Sequence, residues 1–210
     1  MSHMTMPPAG KDGRYHHGDL RAALVDAAID LIAERGLRGF SMAEASRRVG
    51  VSSAAPYRHF ADRDALLAAV AVRGLQVFAD MVATEGGDAG RPDDRLVAMA
   101  RAYVRFAAEQ RSLFDALFSA GLDKSRYQEL REAWEPVDAM LAVVTEICAG
   151  DEAAAEALAD AVEDTAHGHA TLLRDGDYGR GSGAVQIAAD RAASATLALI
   201  AGRAALQPPR

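Results

Sequence analysis

Apolar positions along this chain recur at intervals of three and four and nowhere alternate, so each periodic segment predicts a helix rather than a strand. Leu20, Leu24, Ala27 and Leu31 form a first stripe, closed by Gly36. Met42, Ala45 and Val49 form a second, short one. A long apolar run over 63–83 predicts the longest early helix, followed by the loop sequence EGGDAGRP. Over 93–109, Leu96, Met99, Ala100, Tyr103 and Phe106 or Ala107 share a face, and 111–119 carries Leu113, Phe114, Leu117 and Phe118. A further pattern over 125–149 contains Pro136, which is expected to kink or divide it. Runs over 151–174 and 184–206, separated by a Gly-rich connector, complete an all-α chain of about nine helices.

Helix punctuation is densest between residues 40 and 67, FSMAEASRRVGVSSAAPYRHFADRDALL. Ser41 followed by Glu44 is a capping box, in which hydroxyl and carboxylate satisfy reciprocal amides at a helix start. Gly50 is free to take the left-handed conformation of a helix stop. Ser52 or Ser53 can cap the next helix; with Ser53 as cap, Pro56 becomes the third helical residue, where its missing amide costs little. Tyr57, Arg58 and His59 then follow on an exposed turn, each able to donate to a phosphate oxygen. Asp62 can cap a third helix opening at Arg63. Two short helices joined by a tight Gly turn make a helix-turn-helix, the second helix being the one that enters the major groove.

This string resembles the N-terminal DNA-binding domain of TetR-family repressors, in which a Gly-Val-Ser turn precedes a recognition helix ending in Tyr-x-x-Phe and a basic residue opens the long helix that follows. The resemblance implies that Tyr57 and His59 contact phosphates, that Arg63 replaces the usual Lys, and that Ser53, Ala54 and Ala55 face the groove. Ser41, Arg48, Ser52 and Arg58 complete the candidate DNA-facing set. Ala45-Ser46 stands where Ile-Ala is common in the family, and Ala55-Pro56 where Thr-Leu is common. The segment from Arg14 to Arg21 resembles one subgroup. The implied partner is double-stranded operator DNA, and the implied domains are 17–62 for reading DNA and 63–210 for binding an effector and forming a homodimer.

A formal net charge of -7 argues against a nucleic-acid binder until its distribution is considered. Between residues 35 and 63 there are six arginines against two carboxylates, whereas after residue 63 there are 14 basic and 23 acidic residues. Positive charge therefore sits on the reading segment, above an acidic body. Cys148 is the single cysteine, which excludes an intramolecular disulfide, fits a cytoplasmic, nucleoid-associated protein and suggests a buried, inert thiol. The longest uncharged stretch, 192–202, is too short to span a bilayer, so no membrane partner is expected. Residues 1–4 resemble a cloning remnant. Residues 5–16 read as a disordered leader or as an arm in which Lys11 and Arg14 enter a minor groove.

In the body, Tyr103, Phe106, Phe114, Phe118 and Trp134 are candidate linings for a small-molecule pocket, and each is equally compatible with ordinary core. His167 is a candidate hydrogen-bonding group for a ligand or a core carbonyl. Glu163 and Asp164 beside it suit a neutral or cationic ligand better than an anionic one. His167 and His169 are two apart and point to different sides of a helix, a poor metal pair, and no metal or cofactor is expected. The last helix is rich in alanine, which permits close helix approach; in the resembling family the last two helices form the dimer interface, here within 151–206. There is no nucleophile elbow, phosphate loop, H-E-x-x-H or paired Cys. The sequence thus points to a ligand-released, dimeric repressor and not to an enzyme. The alternatives are an architectural DNA-coating protein without effector and, further off, a helical enzyme using His167.

Overall fold

Gly36 breaks the first helix where its sequence indicated: in α1 (His17–Gly39) it adopts φ 70°, and a last short turn leads on to Phe40. The structure, a computed structural model, describes residues 17–87, 90–118, 120–181 and 183–206. The leader, with Lys11 and Arg14, lies outside the described residues. Leu24, Ala28 and Leu31 of α1 are fully buried, where each large side chain contributes about 1.5 to 3 kcal/mol of hydrophobic stabilisation.

In α2 (Met42–Val49) the Ser41 hydroxyl accepts from the Glu44 amide at 3.2 Å. The reciprocal half of the expected capping box is replaced, because the Glu44 carboxylate is taken by Arg35 at 2.7 Å and by Arg47. Two guanidiniums outcompete one amide for a carboxylate. Gly50 stops the helix at φ 79°, its amide bonding the Arg47 carbonyl while Val51 reaches back to Ser46. These are the two bonds of a Schellman motif.

Asp62 caps α3 (Arg63–Gly86), accepting from the Ala65 amide at 2.8 Å. α3 is longer than its pattern indicated and packs against α1, then against α4 (Pro92–Glu109), α5 (Arg111–Phe118) and α6 (Gln128–Ile147). α6 runs through position 136 as one helix instead of dividing there. Proline is compatible with helical φ and removes a single hydrogen bond, and burial of Leu130, Val137, Val143 and Val144 on both sides of it holds the axis together. α7 (Glu152–Asp175), capped by Asp151 and stopped by Gly176, and α8 (Ala184–Gly202) lie against α4. Among the described residues there are eight α-helices and three single 3-10 turns, with no strand.

Two helical stretches, Arg63–Gly86 and Ala184–Ala205, are long and apolar enough to cross a membrane, contrary to the expectation from charge spacing. Burial accounts for the apolarity of the first: its Leu66, Leu67, Val70, Leu75 and Phe78 face the interior between the other helices. The alanines of α8 likewise serve the monomer. Ala188, Ala189, Ala192 and Thr196 are fully buried, whereas Ile187 and Leu197 are 47% and 50% exposed and Leu172 of α7 is 44% exposed. Cys148 is buried, as its apolar surroundings in the sequence suggested.

Candidate nucleic-acid interface and internal cavity

The segment expected to form a regular recognition helix is instead a turn followed by a 3-10 helix, Pro56–Arg58. The Ala55 amide bonds Ser52, and the amides of Arg58 and His59 bond Ala55 and Pro56 in the same tight spacing. Pro56 explains the difference: it is buried and offers no N–H, so α-type bonding resumes only when the Phe60 amide reaches the Pro56 carbonyl at 2.9 Å. Capping by Ser53 is therefore replaced by the Ser52 carbonyl turn. Ser52, Ser53 and Ala54 are exposed, Ala55 is half-buried, and Tyr57, 58% exposed, projects beside Arg58 and the half-buried His59. Phe60 anchors the far end in the core.

Arginines of this region are more heavily engaged than their count suggests. Arg48 donates twice to Glu34, at 2.6 and 2.8 Å, and its bonding holds the Glu34 carboxyl below the ordinary range. Arg63 turns inward, donating to the Leu37 carbonyl at 2.6 Å and the Phe40 carbonyl at 3.3 Å with its guanidinium 5.4 Å above the Phe40 ring. It satisfies carbonyls left over at the end of α1 and so fastens α1 to the start of α3.

Farther along α3, Leu75 and Phe78 form one wall of an internal cavity of about 70 Å³. Leu96, Met99 and Tyr103 of α4, Leu117 and Phe118 of α5, and Trp134 and Val137 of α6 continue the lining. α7 closes it with Ala159, Val162, Ala166 and a single charged residue, Glu163. The Tyr103 hydroxyl and His167 Nδ1 are 2.9 Å apart. Burial, and then the charge of Glu163, push the Tyr103 phenol well above its ordinary pKa, so it remains neutral. Tyr103 packs edge-on against Phe78 and Phe114, with centroids 6.0 and 5.7 Å apart.

Residues 24–70 match the family of bacterial regulatory proteins designated tetR, and residues 96–204, half of the chain, match the tetracyclin repressor-like C-terminal domain. The chain belongs to the TetR family. This TetR-family chain is 32% identical over 101 residues to the uncharacterized HTH-type transcriptional regulator YobS of Bacillus subtilis (strain 168), a match covering 48% of this chain and 52% of that one. It is also 32% identical over 114 residues to the HTH-type transcriptional regulator BetI of Rhizobium meliloti (strain 1021), covering 53% and 55%. These matches thus span about half the length of either regulator. A solved structure of a protein with unknown function from Rhodococcus sp. RHA1 superimposes with a TM-score of 0.68 at 31% identity, covering 88% of this chain and 98% of that one. The protein is accordingly a transcriptional regulator with a helix-turn-helix DNA-binding domain, in a family that is not one of enzymes.

Of the aromatic residues singled out in this TetR-family chain, Tyr103, Phe118 and Trp134 line the cavity. Phe106, Phe114 and His167 stand behind it: Phe106 is fully buried against Phe78 and Phe114, and His167 stacks on Phe114 at 5.7 Å. His169 points elsewhere and pairs with the Tyr178 hydroxyl. Leu75 and Phe78 of α3, which also line the cavity, are absent from the residues singled out in the sequence. The signal was present, since an apolar face extending well beyond the reading domain must be covered by something in the body.

Proposed function

We propose that this protein is a cytoplasmic, nucleoid-associated homodimeric repressor, released from a pseudo-palindromic operator by a small, mainly apolar effector. The observation that carries this reading is the double attachment of α3. At its start, directly after the reading turn, Asp62 caps it and Arg63 ties it to the end of α1, and three to four turns later Leu75 and Phe78 wall the cavity. Ligand cavities commonly offer roughly 300 to 1,000 Å³, so an effector larger than a few atoms has to push these walls apart. Displacing Phe78 moves the helix whose other end holds the reading head.

Two reading turns need to lie about 34 Å apart to meet successive half-sites on one face of DNA. An effector favouring a different spacing withdraws the population competent to bind, with a typical coupling of about 1 to 3 kcal/mol. Ile187, Leu197 and Leu172 supply an uncovered apolar face on α7 and α8 for the twofold contact. On the DNA side, Tyr57, Arg58 and His59 serve as phosphate contacts and Ser53 and Ala54 as groove-facing positions. Arg63 and Arg48 hold the head in shape. An architectural protein without effector has no use for an apolar cavity against the lever helix.

Selection of bound sequences from genomic DNA, followed by binding of the purified dimer to the selected site, tests the reading. A symmetric site bound at nanomolar concentration and released by an apolar compound is the expected result. Binding without sequence preference, unaffected by any cavity ligand, would establish the architectural alternative.

A further inference from the structure

We infer that the cavity selects an organic cation, a short apolar chain or ring carrying one protonated amine, and rejects carboxylates of the same size; this rests on the effector reading above. Glu163 is the one ionisable carboxylate or base in the lining other than the neutral Tyr103, and no arginine, lysine or histidine lines it among the described residues. Glu163 is also solvent-exposed, which places it where the cavity meets water. One turn farther along α7, at i+4 and on the same face, His167 holds the Tyr103 hydroxyl. At the mouth the Glu163 carboxylate therefore stands beside the hydrogen-bonded pair of Tyr103 and His167.

Arg174, a cation on the rings behind the cavity, is already committed elsewhere. Arg174 lies over the Phe114 ring at 5.3 Å and its guanidinium is 2.7 Å from the Asp115 carboxylate. An incoming carboxylate would meet Glu163 with no positive partner, and removing such a charge from water without one is strongly unfavourable. A protonated amine finds the opposite. Phe78, Tyr103, Phe118 and Trp134 bring four aromatic rings to the lining, whose faces attract cations, and Glu163 supplies the charge. The free volume of about 70 Å³ holds roughly five to seven water-sized groups, so a six-carbon chain with its amine fills it and presses on the walls.

Hexylamine, hexanol and hexanoate share one chain and differ in head group. Titrated into the full chain by calorimetry, with Trp134 emission followed in parallel, hexylamine is expected to bind about tenfold tighter than hexanol, the advantage of one charge-assisted contact at a partly open site, and hexanoate weakest. Glu163→Gln, at an exposed position where folding is not at stake, should erase the amine's advantage, leave hexanol unchanged and improve hexanoate. Equal binding of the three compounds, or an amine preference that survives Glu163→Gln, overturns the charge selectivity while leaving an apolar effector cavity intact. Failure of all three to bind overturns the cavity as an effector site, and the selectivity with it.

Discussion

The Tyr103 hydroxyl and His167 Nδ1, 2.9 Å apart, join α4 to α7 across the edge of the cavity. The bond is the polar tie in a cluster otherwise held by ring packing among Phe78, Phe114 and Phe118. Tyr103→Phe keeps those ring contacts and removes the tie. Denaturant unfolding should show a loss of about 0.5 to 1.5 kcal/mol, the usual net worth of such a bond. Tyr103→Phe with unchanged stability would mean that the ring packing alone sets the α4 to α7 distance.

Arg63 distinguishes two roles for the residue that opens α3. If its charge on a phosphate were all that mattered, Arg63→Lys would be nearly silent. Because its fork bridges the Leu37 and Phe40 carbonyls, a geometry that a lysine ammonium cannot reproduce, Arg63→Lys should weaken operator binding severalfold and lower the thermal midpoint, with the salt dependence of binding little changed. A loss confined to the salt dependence would return Arg63 to the phosphate-contacting set.

Gly74 lies where α3 and α5 meet, and a Cβ added there would sit 2.9 Å from Leu117 Cδ1 and 3.3 Å from Cγ. Leu117 lines the cavity. Gly74→Ala should favour the helix by up to about 1 kcal/mol while turning Leu117 into the free space, so effector affinity falls even where stability does not. Calorimetric titration of the variant measures this directly; an unchanged affinity would show that Leu117 yields away from the cavity.

The exposed face of α8, rather than its alanines, is the place to test assembly. The wild-type chain of 22.2 kDa should sediment near twice that mass, and Leu197→Glu should halve it and abolish tight operator binding while leaving helix content intact. Ala192 is the wrong probe. It is fully buried inside the monomer, and a charge there would unfold α8 whatever the oligomeric state. A Leu197→Glu dimer of undiminished affinity would move the interface elsewhere.

Burial, with the charge of Arg191 adding to it, depresses the pKa of His169, which pairs with Tyr178. A histidine disfavoured as a cation by folding contributes stability above its unfolded pKa and loses it as pH falls below about 6.5. The thermal midpoint should therefore decline from pH 7 to pH 5.5, and His169→Gln should flatten that decline. An identical slope in the variant would assign the titration to another group.

Helix number, the caps at Ser41 and Asp62, the stops at Gly36 and Gly50, and the inward faces of α4 and α5 were legible because each depends on neighbours within one or two turns. The reading turn was not. Pro56 was placed where its missing amide seemed harmless, yet the neighbouring bonds tightened around it. Partner choice over longer range was equally hidden: Glu44 satisfies two arginines instead of closing its box, and the alanines of α8 are covered by this chain's own α4 and α7. Phe106 and Phe114 were chosen by residue type, but type does not tell a wall from the support behind it.

Four of the six arginines between residues 35 and 63 have a carboxylate within ion-pair distance, namely Arg35 and Arg47 with Glu44, Arg48 with Glu34 and Asp30, and Arg63 with Asp64. Charges already answered within the protein displace few ions from a duplex, so each protomer should release roughly two to four counterions on binding rather than six. Arrival at random sequence is then brief, and the acidic body discourages any other face from landing. Such a molecule should search DNA by short visits through solution more than by sliding, and linger only where its turns fit the groove.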